Sequence, residues 1–246
     1  MNFLRRGGLT ARRPWAALLL ALLPVFGARA DQVEVLGFSP TGDSVAVLEH
    51  GVGAGSGVPW ARLTDYLART GKPARPQISV GSGGADHGAP AFSSEDAAVA
   101  EAKRLGELQR GELQTGQLVP GVELKRDGNE LRAPDGRPLG ALDLTARSSR
   151  TRRSAVQARE TQCPAPYMPQ RLRLVLRPAG GGKSTLLLNE KRTPGARPCS
   201  NRCAAGRAFA LKTTAVVLIS CGVPGFEGSS TTTFPVVAKL PESLQP

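Results

Sequence analysis

Aromatic side chains are scarce: Phe, Trp and Tyr make up 4% of the 246 residues. A protein that holds single-stranded nucleic acid stacks bases on such rings, so this composition argues against that class. Histidine is rarer still, with only His50 and His87. Two scattered histidines offer too few ligands for a metal site. No nucleophile-elbow pattern accompanies them, so a Ser-His-acid hydrolase has no signature here. Both histidines read as surface or turn residues whose removal leaves stability and activity intact. No metal and no cofactor is expected. Long apolar runs are also lacking after the first 30 residues, and none approaches the 18 or so residues of a membrane-crossing helix. Position 31 is Asp, which excludes a lipidated cysteine directly after that segment. No repeat of constant period is found.

What the chain does have begins at its start. Arg5, Arg6, Arg12 and Arg13 precede an apolar run from Trp15 to Phe26, and Ala28-Arg29-Ala30 leads into Asp31. A basic region, a short apolar region and a small-x-small site are the parts of a secretory signal. The sequence therefore predicts a signal peptide over 1–30 and a soluble single domain over 31–246, periplasmic or secreted. Arg12-Arg13, between Ala11 and Pro14, fits the twin-arginine route poorly. Cleavage leaves 216 residues, enough for one domain with a real core. It lowers the net charge from +12 to +7, because the leader carries five basic residues and no acidic ones. That excess suits an anionic surface or an envelope protein as partner, although a general bias toward Arg explains it too.

In an oxidising compartment Cys163, Cys199, Cys203 and Cys221 read as disulfides before metal ligands. Position 181, midway between Cys163 and Cys199, is the centre of Gly180-Gly181-Gly182. Position 212, midway between Cys203 and Cys221, separates two apolar runs. Residues equidistant from a hairpin turn face each other, so the expected pairs are Cys163–Cys199 and Cys203–Cys221. The rival is a local Cys199–Cys203 clip with Cys163–Cys221.

Local patterns predict a mainly β fold of antiparallel hairpins, sandwich-like or curved, with one packed amphipathic helix. Val33, Val35 and Val45, Val47 flank a Ser39-Pro40-Thr41-Gly42-Asp43 turn. Val58 to Arg69 reads as a strand with Trp60 and Tyr66. Ser93 to Arg110 is the helix, with Ser93 and Asp96 as its capping box and Ala98, Ala102, Leu105 and Leu108 along one face. Gly106 weakens its interior by about 1 kcal/mol. Val119 to Leu144 reads as a small meander. In Arg171 to Arg177, Leu172, Leu174 and Leu176 alternate with Arg171, Arg173 and Arg177, a strand with a basic outer face. Ala215 to Ser220 and Phe234 to Ala238 complete the strands.

Two segments read as flexible loops, 70–92 for its Gly and Pro and 146–162 for its Arg, Ser and Thr. The second holds Arg147, Arg150, Arg152, Arg153 and Arg159, which makes a polyanion-binding module one alternative function. Gly180 to Thr185 superficially resembles a phosphate loop. Arg177 stands where that pattern needs glycine, and Thr185 to Leu188 reads as a strand, so no nucleotide is expected.

Gly37-Phe38-Ser39-Pro40-Thr41-Gly42-Asp43, the strand after it and Gly55-Ser56-Gly57-Val58-Pro59-Trp60 resemble the start of a bacterial family of predicted secreted proteins of unknown function. Near its end that family has a Gly-Phe-Glu-Gly turn, here Gly225-Phe226-Glu227-Gly228. His50 replaces an aromatic residue of the pattern, and the segment around His87 is an insertion. The resemblance implies export and a shared fold rather than an activity. Phe38, Pro40, Gly42, Gly225, Phe226 and Gly228 are expected to be structural turn residues. The function expected from sequence is a noncatalytic periplasmic or secreted protein that binds a partner or supports the envelope. The second alternative is a secreted hydrolase using Glu49, His50 or Asp86-His87.

Overall fold

The structure is a computed structural model and describes residues 32–53, 56–81, 92–112, 117–148, 163–191, 199–225 and 228–241. The leader over 1–30, His87 and Phe226 lie outside the described residues, as does 149–162.

Twelve strands and one helix follow in chain order among the described residues. They are β1 (Gln32–Phe38), β2 (Ser44–Val52), β3 (Pro59–Leu67), β4 (Ile78–Val80), α1 (Glu95–Glu112), β5 (Val122–Asp127) and β6 (Glu130–Arg132). Then come β7 (Pro138–Ser148), β8 (Gln170–Pro178), β9 (Thr185–Asn189), β10 (Asn201–Leu211), β11 (Thr214–Gly225) and β12 (Gly228–Lys239). The mainly β reading with one helix holds. β4 falls inside the stretch read as loop, and β7 extends through Ser148 into the second such stretch. In both places pairing with a neighbouring strand overrides weak local propensity.

The strands form two antiparallel sheets. The first runs β1-β2-β3-β4 and the second β12-β11-β10-β5-β6-β7-β8-β9. The second curls until β12 comes alongside β9, so it is nearly a closed barrel. Leu124, Leu142, Leu172, Leu174, Leu176 and Ile219 fill its interior. The four-stranded sheet lies between the barrel and α1. Val45 and Val47 face the barrel with Phe38, against Val216, Leu218 and Val237. Ala46, Leu48, Ala61 and Leu63 face α1, against Ala98 and Ala102. β11 thus has one face in the barrel and one against the first sheet. This is why Ala215 to Ile219 is a continuous apolar run rather than an alternating one.

Helix α1 begins one residue later than the capping box predicted. The Ser94 hydroxyl, not that of Ser93, accepts the Ala97 amide at 3.2 Å. Gly106 has a packing reason. A Cβ there would lie 2.1 Å from Leu63 Cδ2, so glycine lets the helix settle close onto β3.

The turn after β1 acts at a distance. Gly42 has φ +78°, which glycine adopts without strain. Its carbonyl accepts the Thr214 hydroxyl, and the Pro40 carbonyl accepts Lys212 Nζ at 2.6 Å. The turn thereby fastens the first sheet to the β10–β11 connection. Phe38 is fully buried. At the other end of β11, Gly225 pairs with Gly228 across the hairpin.

Both disulfides pair as expected, Cys163 with Cys199 and Cys203 with Cys221. The hairpin argument accounts for the second once a bulge is added: the turn pairs Leu211 with Thr214, which alone would set Cys203 opposite Gly222, and the irregularity between Ala205 and Ala208 shifts the ladder by one residue. Ala204 opposes Ser220 in the β10–β11 ladder, and one step along Cys203 meets Cys221. It does not account for the first. The β8–β9 ladder ends at Arg173 and Asn189, and the next antiparallel contact joins Met168 to Ser200, six residues out of that register. A turn in which the Tyr167 amide donates to the Pro164 carbonyl then brings Cys163 back to Cys199.

Candidate functional site

Of the groups considered for hydrolysis, His50 ties the first sheet to α1 and Glu49 joins β2 to β3. His50 is not a surface residue. It lies in β2 on the face covered by α1, 14% exposed, with Nδ1 2.7 Å from Glu95 Oε1 in the first turn of the helix. At the other end of α1, Arg110 reaches Asp65 on β3 at 3.5 Å, and Arg75 meets the second oxygen of Asp65 at 3.8 Å. Glu49, on the barrel-facing side of β2, accepts Arg62 Nε at 2.7 Å from directly across the ladder. Tyr66 shares that side. Burial is the main cause that raises its phenol above the usual value, and Glu49 adds to it, partly offset by Arg62. Asp86 and His87 lie outside the described residues.

The outer face of the barrel at β7, β8 and β9 has a different character. Residues paired across a ladder point to the same side of the sheet. Arg147 pairs with Arg171, Thr145 with Arg173, and Asp143 with Val175. Val175 in turn pairs with Leu186 on β9. Because Leu172, Leu174 and Leu176 fill the barrel, Arg171, Arg173, Val175 and Arg177 stand on the outside.

Two like charges directly opposite one another destabilise a strand pair, and Arg147 and Arg171 are such a pair. Several arginines elsewhere are matched, Arg104 with Glu101, Arg132 with Glu130, Arg177 with Asp143 and Arg207 with Glu123, whereas Arg69, Arg126 and Arg202 stand singly among the described residues. Arg147, Arg171 and Arg173 have no carboxylate partner among the described residues. Arg171 donates from Nη1 to the Lys191 carbonyl at 3.2 Å, while its Nε is buried without a hydrogen-bond partner. Glu190, close by in the chain, accepts the Leu172 amide at 2.7 Å. Leu186, large and apolar, is 49% exposed beside this cationic surface.

Beside the three arginines lies a surface recess of about 240 Å³, lined by Asp143, Thr145, Arg173, Val175, Arg177 and Ser184. The Thr145 hydroxyl donates to the Arg173 carbonyl at 3.4 Å. The alternation of Leu and Arg in β8 made its basic face legible in the sequence. The addition of Arg147 was not, because 146–162 read as loop. Arg150, Arg152, Arg153 and Arg159 lie outside the described residues.

Among the described residues no group of three or more His, Cys, Asp or Glu could hold a metal ion, and no helix is long and apolar enough to cross a membrane. No family model matches the chain, and no curated protein matches it.

Proposed function

We propose that this is an exported, noncatalytic, envelope-associated protein whose β7–β9 face docks on an anionic membrane surface. One observation carries the reading. Arg147, Arg171 and Arg173 stand together without carboxylate partners among the described residues, next to exposed Leu186. Unmatched arginines on a rigid sheet attract anionic headgroups, and an exposed leucine among them gains by entering the headgroup boundary. A fully hydrated polyanion would use the charges and leave Leu186 in water. The resemblance to secreted proteins, the leader-like residues 1–30 and the two disulfides support export. N-terminal sequencing of the exported form should begin at Asp31.

Docking is tested by co-sedimentation of the oxidised protein with vesicles. Binding is expected to phosphatidylcholine vesicles that contain phosphatidylglycerol, and to weaken as salt is raised. Each basic residue near such a surface contributes about 1 kcal/mol, so the double substitution R147Q/R173Q should weaken binding roughly 30-fold. Leu186→Ser should weaken it further without changing the salt dependence. Equal binding to pure phosphatidylcholine, or no effect of the double substitution, would reject the reading.

A further inference from the structure

We propose that the same face contains a built site for a phosphorylated polyol, with the phosphate between Arg147, Arg171 and Arg173 and the hydroxyl-bearing part in the recess between Arg173 and Arg177. The proposal rests on the reading of this face as the docking surface and specifies what it grips.

The phosphate end follows from register and charge. Arg147 and Arg171 are ladder partners, about 5 Å apart at Cβ, and Arg173 is two residues along the same strand face, about 7 Å away. Three long guanidinium side chains rooted that closely can converge above the sheet. A phosphate monoester carries nearly two negative charges and three acceptor oxygens, one for each planar fork. A carboxylate offers one charge and two oxygens, and would leave the third arginine unmatched. The buried Arg171 Nε, without a hydrogen-bond partner, is a donor already withdrawn from water. An oxyanion that draws the Arg171 side chain outward would give that donor a partner.

The polyol end follows from the recess. Its lining combines charged and hydroxyl side chains with the apolar Val175. Ser184 provides a hydroxyl that can donate or accept. Asp143 is held by Arg177, yet a carboxylate has two oxygens and can accept a ligand hydroxyl as well. The Thr145 hydroxyl, already donating to a carbonyl, keeps its lone pairs as acceptors. A bare phosphate would fill the arginine triangle and leave these groups to water. A phosphate ester with adjacent hydroxyls engages both halves. Such chemistry is that of a soluble sugar or glycerol phosphate; a phosphatidylglycerol headgroup shares the adjacent hydroxyls, but its phosphate is a diester with one charge and two free oxygens and engages the arginines less fully.

The test uses soluble probes first, so that it stands apart from vesicle docking. Glycerol 3-phosphate, inorganic phosphate and glycerol are titrated into the oxidised protein while the arginine Nε–H signals are followed by NMR. Saturable shifts at Arg147, Arg171 and Arg173 are expected with both phosphates and none with glycerol. Glycerol 3-phosphate should bind about fivefold more tightly than inorganic phosphate, the worth of one added hydrogen bond, and Ser184→Ala should remove that advantage. Arg173→Gln should abolish saturation by both. It changes an exposed side chain, and a preserved NMR spectrum elsewhere shows that the fold is intact. Unchanged arginine signals would overturn the site. Equal affinity for the two phosphates would overturn the polyol half. If the soluble ester binds and phosphatidylglycerol vesicles do not, the site stands and the membrane reading falls, and the source is a soluble phosphate ester.

Discussion

Replacing Gly106 by alanine separates what helix propensity says from what packing says. Alanine in place of glycine within a helix stabilises by about 1 kcal/mol on propensity alone. In α1 the added Cβ would stand 2.1 Å from Leu63 Cδ2 and 3.3 Å from Arg110 Nη2. Leu63 is 2% exposed and packs in the cluster with Ala98 and Ala102, so it has little room to turn away. Overpacking of this kind costs about 1–3 kcal/mol. It would also push on Arg110, which holds Asp65. The clash should outweigh the propensity gain, leaving Gly106→Ala less stable by about 1 kcal/mol, or roughly 2–4 °C in Tm for a domain this size. Gly111→Ala is the control, because a Cβ there meets nothing within 4 Å among the described residues, and it should stabilise by about 0.5 kcal/mol. Urea unfolding of the oxidised protein measures both. Leu63→Ala in the Gly106→Ala background should cost about 1–2 kcal/mol less than Leu63→Ala alone, since the two changes share the same space. If Gly106→Ala proves as stabilising as Gly111→Ala, the close helix–sheet contact is refuted.

His50→Ala should destabilise by about 1–3 kcal/mol, because it removes a partly buried charge-assisted contact to Glu95. A double-mutant cycle with Glu95→Gln reads the coupling, and a coupling near zero would return His50 to the surface role read from sequence. Tyr66 ionises above the normal phenol range, so spectrophotometric titration should show one tyrosine titrating late and Tyr66→Phe should remove that component. The sign follows from linkage. Above pH 10 the unfolded phenol has lost its proton while the folded one keeps it, so stability declines as pH rises through 10 toward the folded value. That decline should be smaller in Tyr66→Phe.

Legibility followed the range of the interaction. The sequence predicts the β1–β2 turn, β3, the meander from β5 to β7 and the β10–β11 hairpin because each depends on residues a few positions apart. Hairpin register brings Cys203 within one residue of Cys221, and the irregularity between Ala205 and Ala208 completes the match. The cap moved from Ser93 to Ser94 because adjacent serines offer the same chemistry and only the packing of α1 on β3 and β4 chooses between them. β4 and the end of β7 were invisible because their order comes from a partner strand rather than from their own residues.

What the sequence by itself determined was the alternation of Leu and Arg along β8, and with it a strand having one apolar and one cationic face. Side-chain direction alternates along any extended chain, so that much needs no partner. Only the tertiary structure decided what the alternation becomes. It curled eight strands so that the leucines fill a barrel, and it set β7 in the register that places Arg147 against Arg171. It likewise joined His50 to Glu95 across 45 residues, making a strap for α1 of a residue that had read as spare. Periodicity records which face of an element is apolar; which elements meet, and in what register, depends on contacts between distant parts of the chain that local pattern does not encode.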